Sequence, residues 1–158
     1  MLRHATTRDV QVIQKILEHY ARQEILLPRS LSDLYDNVRD FVVYQEGDKV
    51  IATSALHVCW DDLGEIRSLA VLPDYTKRGI GAELVAHCEA EARQLGLRQV
   101  FTLTYQERFF ANLGYQKVDK ATLPHKVWSD CLKCVKFPNC DEIAMSKTLV
   151  DTHEAMPS

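Results

Sequence analysis

The stretch EIRSLAVLPDYTKRGIGAELV, residues 65–85, holds two groupings of residues with chemistry in them. Gly79 and Gly81 stand at the start of an apolar-periodic helix, directly after the cations Lys77 and Arg78. A helix N-terminus presents unpaired backbone N–H groups and the positive end of the helix dipole. Glycines there let a bulky anion come close, and phosphate is the usual guest. The same pair could equally do no more than shape a tight strand-to-helix turn. The turn has neither the third spaced glycine of a dinucleotide fingerprint nor the Gly-Lys-Ser/Thr of a P-loop. Upstream, two-residue alternation puts Glu65, Arg67 and Leu69 on one strand face. A carboxylate such as Glu65 can take the proton that an ammonium must lose before its nitrogen attacks a carbonyl. The plain alternative is a solvated carboxylate at the end of an edge strand.

Cys131, Cys134 and Cys140 form C-x2-C-x5-C, with His125 six residues upstream. Thiolates at this spacing can close a tetrahedral zinc site, with His125 or another thiol as fourth ligand. The alternatives are three reduced thiols on an irregular loop, or a redox-sensitive disulfide. Cys59 and Cys88 belong to no motif, and Cys88 reads as a core residue of its helix.

The elements that would position these groups follow from periodicity. LRHA is a short strand, and Thr6 or Thr7 caps a helix with Asp9 in its first turn. Val10, Ile13, Ile16, Leu17 and Tyr20 recur at the helical period. Pro28 interrupts, and a second helix from Ser30 or Ser32 carries Leu34, Tyr35 and Val38. FVVYQEGDKVIATSALHVCW reads as a hairpin turning at Gly47–Asp48. GEIRSLAVL is a strand. The helix after Gly81 presents Leu84, Val85, Cys88, Ala92 and Leu95 on one face and stops at Gly96. LRQVFTLTY is a strand, QERFFANLG a short helix ending at Gly114, and DEIAMSKTLV a last strand. The order is βααβββαβαβ.

The chain has 158 residues, 46% hydrophobic and 26% charged, with a formal net charge of -3. That suits one globular domain over 1–150 with a frayed polar tail, 151–158. The charge and the lack of a basic extension argue against nucleic acid as a partner. No apolar run reaches the ~18 residues of a membrane span. The N-terminus lacks a signal-peptide core, so a cytoplasmic location without membrane association is expected.

Two segments carry a resemblance. SLAVLPDYTKRGIGAELV is similar to the pyrophosphate-binding strand–loop–helix of the GNAT superfamily of acetyl-CoA-dependent N-acetyltransferases. FFANLGY is similar to its later Phe-Tyr-x-x-x-Gly-Phe segment. The resemblance implies an α/β (α+β) fold with a mixed, mostly antiparallel sheet flanked by helices, splayed between the fourth and fifth strands. It implies acetyl-CoA as co-substrate, its pyrophosphate on the amides of Arg78, Gly79, Ile80, Gly81 and Ala82. The pantetheine arm would pair with Leu69, Ala70 and Val71, and Phe109 would add to the coenzyme site. Thr76 departs from the usual Gln or Arg, and Phe110 stands where a catalytic Tyr is frequent. With that proton donor absent, Thr104 and Tyr105 are next in line to serve the leaving thiolate.

LLPRSL, EIRSLAVLPDY, FTLTYQERFFANLGY and LPHKVWSDCLKCVKFPNCDEIAM together resemble the short, stand-alone N-acetylglutamate synthases of bacterial arginine biosynthesis, over about residues 2–147. This implies a small amino-acid substrate, L-glutamate, acetylated by direct attack with Glu65 as base. Its two carboxylates want cationic partners, and Arg67, Lys126 and Arg29 are the candidates. Trp128 is a candidate wall of the acceptor pocket. Other acceptors (glutamine, another amino acid, a polyamine, a protein N-terminus) and a non-catalytic coenzyme-A-binding module stay open. Homodimers are common in the fold, so a homodimer is a further expectation.

Overall fold

The computed structural model describes residues 1–26, 28–123 and 142–149. Its elements run β1 (Leu2–His4), α1 (Val10–Ala21), α2 (Leu31–Asp36), β2 (Phe41–Glu46), β3 (Lys49–Trp60), β4 (Leu63–Val71), α3 (Ile80–Gln94), β5 (Gln99–Thr104), α4 (Glu107–Asn112), β6 (Gln116–Lys117) and β7 (Ile143–Thr148). The strands form one seven-stranded sheet in the order β1-β2-β3-β4-β5-β7-β6. β1–β2, β2–β3, β5–β7 and β6–β7 are antiparallel, and β4–β5 is parallel. This is the expected mixed, mostly antiparallel sheet. The parallel ladder holds only Leu63↔Gln99, Gly64↔Val100 and Glu65↔Phe101, while β4 runs on to Val71. The short strand β6 escaped the periodicity because two residues cannot show a period. Among the described residues no helix is long and apolar enough to cross a membrane.

The chain packs as two compact units, Met1–His57 with Ile66–Glu91, and Val58–Glu65 with Ala92–Ser158. In the first, Thr6 and Asp9 form a capping box ahead of α1. The helix then buries Val10, Ile13, Ile16 and Leu17, together with Leu34, Phe41 and Val43. Ser30 caps α2, its Oγ accepting from Asp33 N–H at 3.1 Å, and Pro28 lies ahead of that cap as its fixed φ requires. A second cluster packs Ile80 and Leu84 of α3 on Val42, Ile51 and Ala52 of the hairpin. Cys88 donates to Ser54 Oγ at 3.8 Å, and burial pushes its thiol up to about 12. It is an inert core residue, as read from its position on the helix.

In the second unit, β5 and β7 pair along their whole length, from Gln99↔Thr148 to Thr104↔Ile143. Phe101, Leu63, Cys59, Leu123 and Ala144 form its apolar core.

Three helices end in the same way. After α3, Leu97 N–H bonds Ala92 O and Gly96 N–H bonds Arg93 O, with Gly96 at φ +87°. This is the paired 6→1 and 5→2 closure of a Schellman motif. It corrects one expectation: Leu95 is 61% exposed, not on the buried face, and Leu97 beyond the glycine is buried in its place. After α4, Tyr115 N–H bonds Phe110 O and Gly114 N–H bonds Ala111 O. The Phe110 and Tyr115 rings meet at 5.2 Å, the apolar contact that accompanies this cap. Lys147 Nζ adds a bond to Leu113 O at 3.0 Å. The FFANLGY segment is thus a helix stop in physical terms. After α1, Ile25 N–H bonds Tyr20 O and Glu24 N–H bonds Ala21 O, but the left-handed position, φ +59°, is held by Glu24.

A side chain in that left-handed conformation costs roughly 1–2 kcal/mol, which glycine escapes. Glu24→Gly is therefore expected to stabilise the protein by about 1 kcal/mol, read from the urea midpoint; a lower midpoint would contradict the assignment. Arg3 donates through Nη1 and Nη2 to both oxygens of Asp9 at 2.8 and 2.9 Å, and Thr6 N–H adds a third bond at 2.7 Å. The Arg3 hydrogen bond, with those of Thr6, holds the Asp9 carboxyl below the usual carboxylate range despite its burial. A carboxyl lowered by folding stabilises above the unfolded value, ~4, and that contribution is lost as pH falls through the folded value. Asp9→Asn is expected to cost about 2 kcal/mol at neutral pH, the scale of charged hydrogen bonds. In denaturant titrations the gap to wild type should shrink below pH 4; a gap independent of pH would contradict this role.

Candidate active site

In the first unit the candidate anion-binding turn lies between β4 and α3. The chain leaves β4, makes a helical turn at Pro73–Tyr75 and enters α3 at Ile80. Lys77 and Gly79 are both left-handed, at φ +65° and +80°. Left-handed residues next to a helix start gather successive N–H groups into a concavity for an anion. Glu83 N–H bonds Gly79 O at 3.1 Å, so the amides ahead of it at Ile80, Gly81 and Ala82 have no intrahelical acceptor. The two glycines differ in purpose. A Cβ on Gly79 would meet nothing within 4 Å, so glycine is needed there for its backbone angle and not for internal crowding. Gly81 is not among the left-handed residues and lies in the first turn of α3.

The two cations beside the turn are not equivalent. Arg78 donates to Glu46 Oε2 and Oε1 at 3.2 and 2.9 Å and lies 5.4 Å from the centroid of the Tyr75 ring. Hydrogen bonding to Arg78 holds Glu46 below the usual carboxylate range. The guanidinium expected beside the anion therefore already has a carboxylate. Lys77 is exposed.

β4 leads into this turn. Ser68, at φ +58°, sits inside the strand between Arg67 and Leu69. Two-residue alternation holds only along extended backbone. The single row Glu65–Arg67–Leu69 expected from the sequence is therefore broken at Ser68. Leu69 and Val71 pack with Ile80 and Leu84 of α3, whereas Ala70 packs with the α1 cluster. The Tyr20 hydroxyl donates to the Val71 carbonyl, and burial raises the phenol, keeping it a donor. Arg29 donates from Nε to Asp33 Oδ2 at 2.6 Å and from Nη1 to Ser68 Oγ at 3.0 Å. Its guanidinium carbon also lies 5.1 Å from the Phe41 ring centroid. The arginine expected to meet a substrate thus also ties the start of α2 to the left-handed residue of β4. Arg67 is half-buried, with Nε and Nη2 both inaccessible to water.

In the second unit, Glu65 is half-buried at the last pair of the parallel ladder, opposite Phe101. Thr104 is buried at the end of β5, and its Oγ1 accepts from Gln106 N–H at 2.8 Å. Its O–H hydrogen is still available to donate. Tyr105 is half-buried in the turn to α4. Phe109 is half-buried and meets Phe110 edge-on at 5.0 Å. Phe110 is buried and has no donor to offer. Lys126, Trp128, His125, Cys131, Cys134 and Cys140 lie outside the described residues.

Sequence reasoning missed Ser68, Tyr20 and Asp33 as parts of this region. A serine within a strand pattern signals no left-handed turn, and Tyr20 read only as the last apolar position of α1.

A helix-start anion turn fed by a strand whose ladder ends early has a counterpart among known proteins. The profile described as Acetyltransferase (GNAT) family matches residues 9–115. The chain belongs to this family. It is an acetyltransferase with acetyl-CoA as co-substrate. An uncharacterised N-acetyltransferase of Chlorobaculum tepidum is 41% identical over 148 residues, covering 94% of this chain and 96% of that one. An amino-acid acetyltransferase of Mycobacterium tuberculosis is 39% identical over 133 residues, 82% of this chain and 76% of that one. The structure of N-acetylglutamate synthase from Neisseria gonorrhoeae, complexed with coenzyme A and N-acetyl-glutamate, superposes with a TM-score of 0.89 at 26% identity. That match covers 96% of this GNAT chain and 35% of the longer synthase.

For the anion turn, Gly79→Ala forces a side chain into the left-handed region at a cost of about 1 kcal/mol, or a few degrees of Tm. Coenzyme A affinity measured by calorimetry is expected to fall by about tenfold or more, since the cradle must change shape. An unchanged Kd would show that the turn does not hold the coenzyme.

Proposed function

We propose that this enzyme transfers the acetyl group of acetyl-CoA to the α-amino group of L-glutamate. The observation that carries the reading is the content of one strand. β4 presents Glu65, then Arg67, then Leu69–Val71, so a half-buried carboxylate, a half-buried cation and a stretch that outruns the parallel ladder follow one another along a single backbone. The relatives support it: one at 39% identity is named an amino-acid acetyltransferase, and the Neisseria synthase was crystallised with N-acetyl-glutamate.

In this mechanism Glu65 accepts a proton from the glutamate ammonium, directly or through water. The neutral nitrogen attacks the thioester carbonyl, and the tetrahedral adduct loses the second nitrogen proton to water as it collapses by breaking the C–S bond. The departing thiolate accepts a hydrogen bond from the hydroxyl of Thr104 or Tyr105, because Phe110 has none to give. The pyrophosphate rests on the amides of Arg78 to Ala82, with Phe109 beside the coenzyme. Arg67 receives a substrate carboxylate, with Arg29 and Lys126 as further cationic partners and Trp128 as a pocket wall. An acidic acceptor suits these cations better than a polyamine does.

Thiol release from acetyl-CoA, followed over a panel of amines including L-glutamine, tests the reading. L-glutamate should give a kcat/KM far above the others. Glu65→Gln should lower kcat by about two to four orders of magnitude, and Arg67→Ala should act mainly by raising KM for glutamate. A preferred amine without acidic groups would discard the substrate, and near-normal turnover by folded Glu65→Gln would remove the base.

A further inference from the structure

A separate group of side chains in the first unit belongs to no part of this reaction. His4, at the end of β1, and His87 and Glu91, one turn apart on α3, bring one ligand atom each within 4.8 Å of one another. Both imidazoles address the same carboxylate oxygen. His87 Nε2 lies 2.8 Å from Glu91 Oε1, and His4 Nε2 lies 3.2 Å from it. The two rings meet edge-on, with centroids 5.7 Å apart.

We propose that His4, His87 and Glu91 form a binding site for one divalent zinc-type cation, separate from the acetyl-transfer chemistry. Four ligands around zinc at 2.0–2.2 Å stand roughly 3.4 Å from one another, so the two nitrogen–oxygen hydrogen bonds, at 2.8 and 3.2 Å, need open only slightly to admit a shared metal. The helical pair His87 and Glu91, at i and i+4, is a preformed two-pronged ligand held by the α3 backbone. His4 has only a small distance to close. Its side chain is 67% exposed, so it can turn without disturbing packing, while its backbone is fixed by the pairing His4↔Val42. The same exposure admits a water as fourth ligand. Two imidazoles and one carboxylate favour zinc over calcium or magnesium, which demand oxygen ligands. The cation replaces the two N–H···O contacts to Glu91 by direct ligation, each ring shifting its proton to Nδ1 or losing it.

The site would act as a clip. β1 has three residues, held by one ladder with β2, the packing of Leu2 and the Arg3–Asp9 pair. A metal joining His4 to α3 adds a cross-link from that short strand to the helix whose first turn forms the anion cradle.

The test uses the full chain, stripped of metal, with zinc and cobalt as probes. Wild type in about a hundredfold excess of zinc over its Kd should gain roughly 5 °C in Tm. His87→Ala and Glu91→Gln should lose that gain, with zinc affinity at least tenfold weaker. The cobalt form should show d–d bands that vanish in the same variants and carry no thiolate charge-transfer band, which separates this site from Cys131, Cys134 and Cys140. Long-range 1H–15N spectra of wild type keep the proposal testable if a variant fails to fold: zinc should move the Nε2 signals of two histidines, His4 and His87. Zinc binding that is equal in wild type and folded variants, or that leaves both histidine signals in place, would overturn the proposal, as would no binding at all.

Discussion

A backbone N–H or C=O that leaves its ladder must find another partner, and β4 is where this chain leaves a ladder. Parallel pairing with β5 stops at Glu65, yet the strand continues to Val71. Shortly afterwards α3 begins with amides that no intrahelical carbonyl can serve. Two stretches of backbone with bonding capacity to spare thus belong to one compact unit and adjoin in sequence. An acyl carrier with amide groups along its arm and a pyrophosphate at its end has the complementary chemistry for both.

Side chains fix the shape of these stretches. Arg29 holds Ser68 Oγ, and Ser68 is the residue that departs from extended geometry. Tyr20 occupies the Val71 carbonyl, and its raised phenol remains protonated throughout the neutral range. Glu46 engages Arg78 beside the turn, in a half-exposed pair that adds little stability but orients the guanidinium. The conformation is therefore defined by polar contacts from α1, α2 and the hairpin, all within the same unit.

Much of this was legible in the sequence. The α1 face Val10, Ile13, Ile16 and Leu17, the Ser30 cap, the Gly47 turn and the strand-to-helix glycines each followed from period or turn chemistry. What escaped depends on non-local or single-residue backbone choices. Ser68 adopts a left-handed conformation that no propensity assigns to serine in a strand, and it undoes a face assignment that assumed unbroken alternation. Leu95 fitted the helical period by position, but Gly96 reverses the chain there and hands the apolar contact to Leu97. Glu24 ends α1 with glycine's geometry and without glycine. The resemblance to the family is carried by residues 68–85 and by FFANLGY, whereas the roles of Glu65, Arg67, Thr104 and Tyr105 rest on chemistry that a fold alone does not assign.

The most direct measurement is amide hydrogen exchange with and without coenzyme A, resolved by residue. If the coenzyme takes up the β4 backbone groups that face away from β3 and the first amides of α3, an amide within Leu69–Val71 and those of Gly79 to Ala82 should slow together on its addition. Those of the β5–β7 ladder, already paired, should change little. Coenzyme A that binds while leaving both sets of amides at their free rates would contradict the account.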